Sequence, residues 1–220
     1  MASRRNRRLR PRFVLFCILV VLTTLNAAIL AVRLFRGRVS GPEAEGVEVP
    51  EYVTEDFLPL NRYSRPGHEL TEISGVVLHY VGNPGTTAEA NRNYFASLAS
   101  GKERTFASAH FIVGLEGEVI QCIPLTEIAY ASMERNDDTV AIEVCHPDAS
   151  GAFSDVSYTR TVELTAWLCR TFNLEPETDV IRHYDVTGKR CPLYYVEHPK
   201  AWEHLLSDVS ARLAEPEAAS

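Results

Sequence analysis

The first forty residues contain no acidic side chain, and residues 13–32 contain no charged side chain at all. This uncharged run, FVLFCILVVLTTLNAAILAV, has almost no polar face, which excludes the amphipathic helix of an ordinary domain. As a helix rising about 1.5 Å per residue, it matches the roughly 30 Å hydrocarbon core of a bilayer. Six arginines precede it and three follow it, so we predict a transmembrane signal anchor with residues 1–12 in the cytoplasm.

A cleaved signal peptide is the alternative interpretation of this segment. The hydrophobic region of a signal peptide usually has about 7–15 residues and ends at a small-residue cleavage site. The run in this chain is longer and continues into Arg33. An uncleaved anchor predicts a single-pass protein of the cell membrane, and a cleaved signal predicts a secreted one. In both cases the rest of the chain is exported.

Basic side chains are scarce after residue 40. Nine of the 22 lysines and arginines lie in residues 1–40, which leaves 13 basic and 29 acidic side chains, a net charge of −16, in residues 41–220. We therefore predict no nucleic-acid partner, because binding to nucleic acid depends on neutralising its phosphates. The acidity is also consistent with a simple contribution to solubility.

Cysteine is too scarce for a disulfide framework. Of the five cysteines, Cys122, Cys145 and Cys169 lie in segments that read as strand, strand and helix. One disulfide among these three, or three buried thiols, are both open. A domain of about 150 residues can bury a sufficient hydrophobic core without disulfide bonds.

The chain contains no internal repeat. After the apolar run, its composition indicates a linker, one domain and a short tail. Residues 33–56 are acidic, contain Pro and Gly, and lack a sustained apolar period, so we expect an extracytoplasmic linker. Residues 57–213 form the predicted domain. The last segment, 214–220, reads AEPEAAS, and we expect it to be disordered.

The predicted domain alternates strand and helix signals. Their order, β-α-β-β-β-α-β-α, predicts an α/β fold with a mixed central β-sheet flanked by helices. One helix is expected to begin at Thr86, which has capping-box spacing with Glu89. The strands are predicted at 73–81, on both sides of a turn at Glu116-Gly117, at 139–147 and at 178–184, and the other helices at 157–173 and 197–213.

Two histidines and a cysteine are predicted to meet at one edge of this sheet. His79 stands at the end of the first strand and His183 at the end of the last, and Cys191 follows His183 by eight residues across a loop with Gly188. Ligands gather at the carboxyl ends of strands in open α/β sheets. Two imidazoles and a thiolate form a three-ligand Zn²⁺ site with the fourth position free for water. On spacing alone, two ordinary strand-end histidines remain an open interpretation.

Two charged side chains are candidates for catalysis. Glu143 interrupts the apolar strand TVAIEVC, on the face predicted for Ala141 and Cys145. Burying a carboxyl is costly unless it is paired or used, so Glu143 is either a catalytic base or part of an ion pair such as one with Arg182. Lys189, two residues before the cysteine, either stabilises a developing oxyanion or is simply solvated.

The segments VVLHYVGNPG, DDTVAIEVCHP and HYDVTGKRCP resemble the type 2 zinc-dependent N-acetylmuramoyl-L-alanine amidases. This family is related to the phage endolysin amidases, the bacteriophage T7 lysozyme and the peptidoglycan recognition proteins. The resemblance covers about residues 57–213 and implies a mixed sheet with helices around it. It also implies that His79, His183 and Cys191 bind Zn²⁺ and that Lys189 assists catalysis.

The second catalytic group differs between branches of that family. One branch uses a tyrosine before a histidine on the second strand, and another uses a glutamate on the strand that matches TVAIEVC. Here Ala109 precedes His110, whereas Glu143 is present. The resemblance therefore implies catalysis by Glu143.

The implied reaction is hydrolysis of the amide between N-acetylmuramic acid and L-alanine in peptidoglycan, which is the expected partner. His110, Asp185 and Thr187 are expected to lie beside the site without binding the metal. Two alternatives use the same cleft: an inactive peptidoglycan-binding or sensing module, and a zinc peptidase that cuts stem peptides. The sequence does not indicate an oligomeric state.

Overall fold

A computed structural model of the chain describes residues 39 and 41–216. Within them, six strands form one sheet, and α-helices and short 3-10 helices connect the strands. The strands are β1 Val53–Glu55, β2 Gly75–Tyr80, β3 Phe111–Val113, β4 Val119–Gln121, β5 Thr139–Val144 and β6 Val180–Arg182. The α-helices are α1 Ala88–Ser97, α2 Asp155–Phe172, α3 Pro176–Asp179, α4 His183–Thr187, α5 Leu193–Glu197 and α6 Pro199–Ala214. The 3-10 helices are Gly41–Ala44, Leu98–Ser100 and Met133–Arg135.

The sheet is mixed, with the strand order β1-β4-β3-β5-β2-β6. Neighbouring strands are parallel except for β3 and β4, which form the hairpin predicted around the turn at Glu116-Gly117. Strands β2 and β5 lie side by side over six residue pairs, and their register places His79 next to Glu143. The predicted mixed central sheet with flanking helices is confirmed.

Each face of the sheet covers its own apolar core. Alternate residues of a strand point to opposite faces. On one face, Leu78 and Ile142 pack with residues of α2 and α6, including Leu164 and Leu205. On the other face, Ala141 and its neighbours pack with a smaller set that includes residues of α1. Register and alternation together put His79 and Glu143 on the face covered by α1.

The helix starts follow the sequence signals closely but not in every detail. Helix α1 begins one residue later than the predicted cap: the Thr87 hydroxyl, not that of Thr86, accepts from the Ala90 N–H at 3.1 Å. Thr86 instead donates to the carbonyl of Asn83 at 2.8 Å. The capping interaction is of the predicted kind, shifted by one position, with the Thr87 hydroxyl satisfying an orphan N–H of the first turn.

The segment expected to be a linker, 33–56, contributes folded structure from Val39 onward. The carbonyl of Val39 accepts from the Ile73 N–H at 2.8 Å, and β1 pairs with β4 at the sheet edge. Ala44 and Val53 are buried in the core. The start of the folded domain therefore lies N-terminal of residue 57. The sequence did not predict this, because a strand of three residues is too short to show a periodic pattern.

The predicted anchor at 13–32 and the predicted cytoplasmic segment 1–12 lie outside the described residues. Among residues 39 and 41–216, no helix combines the length and the apolar character needed to cross a bilayer. Residues 217–220 of the predicted tail also lie outside the description. The three cysteines whose state was open, Cys122, Cys145 and Cys169, are free and buried.

Candidate metal centre and active site

His79, His183 and Cys191 converge at the carboxyl edge of the sheet. One ligand atom of each lies within 4.8 Å of the other two. The Cys191 Sγ is 3.8 Å from the His79 Nδ1, and the two imidazole centroids are 4.5 Å apart. All three side chains are buried. Residues separated by up to 112 positions in the chain thus form one compact donor set.

The histidines are held by different elements. His79 lies on β2, and its position is fixed by the strands on both sides. His183 is the first residue of α4 rather than the last residue of a strand as predicted. The Asp185 carboxylate accepts from the backbone N–H of Arg182 at 2.9 Å and from its guanidinium at 2.7 Å. This interaction caps α4 and fixes the backbone on which His183 stands.

The loop between α4 and Cys191 is short and internally hydrogen-bonded. Gly188 ends α4 with a φ of 76°, a left-handed conformation that favours glycine. Thr187 donates to the carbonyl of His183 at 3.1 Å and accepts from the N–H of Lys189 at 3.2 Å. The carbonyl of Cys191 accepts from the N–H of Tyr184 at 2.9 Å. These bonds return the chain to the sheet and bring the thiol to the histidines.

The three donor groups suit a metal such as Zn²⁺. Burial is the main cause that keeps the pKa of His79 well below its usual value, and it also lowers the pKa of His183. Both imidazoles are therefore neutral and offer a lone pair. The buried Nδ1 of His183 has no hydrogen-bond partner among the described residues. Burial, assisted by Glu143, raises the pKa of Cys191 to about 12, and a bound cation would favour the thiolate.

Glu143 lies directly beside this set. Its Oε1 is 4.0 Å from the His79 Nδ1, and its buried Oε2 has no hydrogen-bond partner within the part of the chain described. Burial raises the pKa of Glu143 to about 8, and the nearby cation of Lys189 opposes that shift. The ion pair with Arg182, left open by the sequence, does not form, because Arg182 binds Asp185 instead. Among the described residues, Glu143 thus contacts the donor set through Oε1, while its buried Oε2 has no hydrogen-bond partner.

A cavity of about 330 Å³ opens in front of these residues. Glu143, His79, His183 and the exposed Lys189 line one part of it. The rest of the lining is mostly apolar, with Phe95, Phe106, Ala107, Tyr130, Ala131 and Met133, together with the polar residues Ser108 and Asn136. The cavity is large enough for part of a peptide or sugar and brings such a ligand to the candidate centre.

Three residues were expected beside the site. Asp185 and Thr187 support it through α4 and the following loop, as described above. His110 has a structural position: its Nδ1 accepts from the Ala141 N–H at 3.0 Å, and its Nε2 donates to the carbonyl of Glu127 at 2.9 Å. Both ring nitrogens of His110 are thus used, and neither is available to a metal.

Ser132 and Asn136 also belong to the site, and neither is predicted from the sequence. The Ser132 hydroxyl lies 3.2 Å from the His79 Nε2, and the Asn136 side chain accepts from the Ser132 N–H at 2.6 Å. Neither residue belongs to a recognisable motif. The only local signal is that Ser and Asn are typical of turns, and this signal does not point to a site.

The fold and the donor set define an α/β domain with a candidate two-histidine, one-cysteine metal centre. The chain belongs to the N-acetylmuramoyl-L-alanine amidase family, whose model matches residues 69–193. The resemblance drawn from the sequence motifs is thereby confirmed. All of the candidate ligands and both candidate catalytic residues fall within the matched range.

Curated relatives agree with this family. The chain is 32% identical over 181 residues to the N-acetylmuramoyl-L-alanine amidase BlyA of Bacillus subtilis, covering 73% of this chain and 47% of BlyA. It is 33% identical over 156 residues to a probable N-acetylmuramoyl-L-alanine amidase of Bacillus licheniformis, covering 66% of this chain and 43% of that protein. The chain thus spans about half the length of the curated relatives it matches.

The solved structures show the likeness of fold. A mutant endolysin from Bacillus subtilis superposes with a TM-score of 0.60 at 23% identity, covering 71% of this chain and 97% of that one. The PlyG catalytic domain gives a TM-score of 0.61 at 19% identity, covering 76% and 99%.

Proposed function

We propose that this protein is a zinc-dependent N-acetylmuramoyl-L-alanine amidase. It hydrolyses the amide between the lactyl group of N-acetylmuramic acid and L-alanine of the stem peptide. The observation that carries the proposal is the convergence of His79, His183 and Cys191 with the buried carboxyl of Glu143, whose Oε1 is 4.0 Å from the His79 Nδ1. Family membership supports the choice of substrate, because the curated relatives carry the amidase name.

The metal would be held by His79, His183 and Cys191. The donor set fits Zn²⁺, which accepts imidazole nitrogen and thiolate sulfur, and three protein ligands leave room for catalysis. When bound, the metal supplies Lewis acidity toward the substrate carbonyl and toward water. Two neutral imidazoles and one thiolate would leave a bound Zn²⁺ with about one net positive charge, which would favour the negative carbonyl oxygen of the transition state of amide hydrolysis.

Glu143 serves as the general base and then as the general acid. It accepts a proton from the attacking water and passes a proton to the leaving nitrogen of L-alanine. Its carboxyl must be ionised for the first transfer, although burial raises its pKa to about 8. The cation of Lys189 already opposes that shift, and a cation in the centre would act in the same direction. Burial therefore raises the pKa of Glu143, and the neighbouring positive charges lower it.

Lys189 and the apolar wall complete the cleft. Lys189 lies on the cavity surface, and we assign its ammonium the role of stabilising the negative carbonyl oxygen. Phe106 and Tyr130 form an aromatic part of the cavity lining, with their ring centroids 5.5 Å apart. Such a lining suits the apolar faces of sugars and peptide groups.

We also propose that the protein is anchored in the cell membrane with the catalytic domain outside the cytoplasm. The support is the uncharged run at 13–32 and the six arginines before it. This position brings the domain to peptidoglycan, which lies outside the membrane.

Mass spectrometry of digested peptidoglycan tests the proposed activity. The full chain in detergent is incubated with purified peptidoglycan before and after removal of the metal by a chelator, and again after Zn²⁺ is restored. We expect stem peptides with a free L-alanine amine, lost on chelation and recovered with Zn²⁺. Glycan–peptide linkages left intact by the zinc-loaded protein would indicate a binding module, and cuts within the stem peptide would indicate a peptidase.

A further inference from the structure

The two ring nitrogens of His79 face different partners. Nδ1 lies toward the candidate metal centre, 3.8 Å from the Cys191 Sγ and 4.0 Å from the Glu143 Oε1. Nε2 lies on the other side of the ring, 3.2 Å from the hydroxyl of Ser132, which is 1% exposed. A nitrogen that binds a metal must offer a lone pair. With a metal on Nδ1, neutral His79 would carry its proton on Nε2, where the Ser132 oxygen can accept it.

We propose that Ser132 is a positioning residue for the metal ligand His79. It holds the imidazole in the tautomer with hydrogen on Nε2 and fixes the ring so that Nδ1 faces the metal. This inference rests on the proposed zinc site and names a residue that supports it from a separate loop. A hydrogen-bond partner of this kind raises the metal affinity of a ligand histidine, and its loss typically weakens binding about ten- to hundredfold.

Ser132 is itself held by Asn136. The side-chain oxygen of Asn136 accepts from the backbone N–H of Ala131 at 3.1 Å and of Ser132 at 2.6 Å. The carbonyl of Ser132 accepts from the N–H of Arg135 at 3.0 Å. Three hydrogen bonds thus lock the backbone of this loop next to His79. Because its backbone is fixed, the Ser132 hydroxyl can set the orientation of the His79 imidazole. A hydroxyl on a mobile loop would instead move with the imidazole.

The backbone between Ser132 and Asn136 is strained. Met133 has a φ of 54°, in the left-handed region that residues with a large side chain rarely adopt. Its side chain is 68% exposed, so burial does not compensate for this conformation. Strain of this kind persists only where the surroundings determine it, and it concentrates at functional sites. Here it lies directly after the residue that contacts His79.

The zinc dissociation constant of the Ser132→Ala variant tests this role. Full chain in detergent is titrated with Zn²⁺ in competition with a chromogenic chelator. We expect about ten- to hundredfold weaker binding for Ser132→Ala. Ser132→Thr keeps the hydroxyl, and its affinity should stay within roughly threefold of the wild type, a difference smaller than the loss of one neutral hydrogen bond. Asn136→Ala should weaken binding in the same direction as Ser132→Ala.

Ser108→Ala is the matched control. Ser108 is also a buried serine beside the cavity, and its hydroxyl accepts from the N–H of Tyr130 at 2.9 Å. In the described part of the chain, its side chain makes no hydrogen bond to His79, His183 or Cys191. Ser108→Ala should leave the zinc dissociation constant unchanged. The melting temperature of each zinc-free variant separates a loss of stability from a loss of metal affinity.

The tautomer of His79 gives a second readout that needs no metal. Nitrogen-15 chemical shifts of the zinc-free protein should show hydrogen on Nε2 in the wild type and a mixture of tautomers in Ser132→Ala. Equal zinc affinity of the wild type and Ser132→Ala, or hydrogen on Nδ1 in the wild type, would overturn the role of Ser132 alone. A wild-type protein that does not bind Zn²⁺ would overturn the proposed function, and this inference with it.

Discussion

Glu143 is the residue on which the proposed chemistry depends most directly. Replacement by glutamine keeps the shape of the side chain but removes its ability to accept a proton. We predict that Glu143→Gln lowers kcat by about 10²–10⁴-fold, the usual contribution of general acid–base catalysis. The zinc content should not change, because the ligand set is intact. Turnover of muropeptide, measured together with metal analysis of the same sample, checks both expectations.

The control for this variant is Glu116→Gln. Glu116 is an exposed glutamate in the turn between β3 and β4 and is not among the residues that line the cavity. Its replacement removes the same charge from the domain and should leave turnover unchanged. A Glu143→Gln protein that is fully loaded with zinc and as active as the wild type would refute the assignment of Glu143 as the base.

His110 makes the stability of the domain depend on pH. Burial is the main cause that lowers its pKa from 6.5 to about 4, and in the neutral form its Nδ1 accepts from the Ala141 N–H. The unfolded chain takes up this proton near pH 6.5, whereas the folded chain takes it up only near pH 4. The unfolded state therefore binds more protons in this window, and the free energy of unfolding falls as the pH falls, by about 3 kcal/mol at pH 4.

A comparison with His110→Asn isolates this contribution. Asparagine offers an acceptor to the Ala141 N–H and does not titrate. Chemical denaturation of the chelated proteins at several pH values should give a steeper loss of stability for the wild type than for His110→Asn between pH 6.5 and 4. Equal slopes would show that His110 titrates alike in both states.

The sequence identified the chemically distinctive residues of the site and missed those that only hold it. His79, His183 and Cys191 stand in motifs that resemble a known family, and Glu143 is unusual on an apolar strand. Ser132 acts on a histidine 53 positions away through one hydrogen bond. No local pattern encodes such a contact, because it depends on how the loop closes over the sheet.

At the scale of elements, long periodic segments were predictable and short ones were not. The strands β2 and β5 and the helices α2 and α6 carry clear apolar patterns, and the structure places all four close to the predicted ranges. Strand β1 has three residues, and α4 has five. Such elements are specified by pairing and capping with distant or adjoining partners. Their sequences alone hold too few positions to show a period.

Strand β1 and the residues before it should contribute to stability. Val53 and Ala44 are buried in the core, and Arg160 stacks on the Tyr52 ring at 4.1 Å from its centroid. A fully buried aliphatic side chain contributes about 1.5–3 kcal/mol. We predict that a chain beginning at residue 57 is less stable than one beginning at residue 39, by roughly 3–5 kcal/mol. Urea denaturation of the two proteins measures the difference.

Strand β4 explains why this loss should be large. Without β1, the edge of β4 exposes the backbone groups that now pair with Val53, Thr54 and Glu55. An unpaired edge also favours association between chains, so the shorter protein should aggregate more readily. Equal denaturation midpoints for the two proteins would mean that residues 39–56 behave as the linker that the sequence suggested.

At the scale of the whole molecule, charge is distributed very unevenly along the chain. Residues 1–40 carry nine positive side chains and no negative ones, whereas residues 41–220 carry a net charge of −16. A basic segment before an apolar run is retained in the cytoplasm, and an acidic domain is not attracted to anionic lipid. The proposed arrangement therefore relies on the apolar run and the arginines beside it, and not on the domain, for attachment. Between that run and Val39 there are only residues 33–38, which extended would span about 20 Å.

Cell fractionation tests this arrangement. We predict that the full-length chain sediments with membranes and is released by detergent but not by high salt or alkaline carbonate, because apolar insertion is insensitive to both. A chain beginning at residue 39 should stay in the soluble fraction. Protease added to intact protoplasts should digest the domain if it lies outside. A full-length chain in the culture medium would contradict anchoring, and a mature N-terminus just after the apolar run would identify it as a cleaved signal peptide.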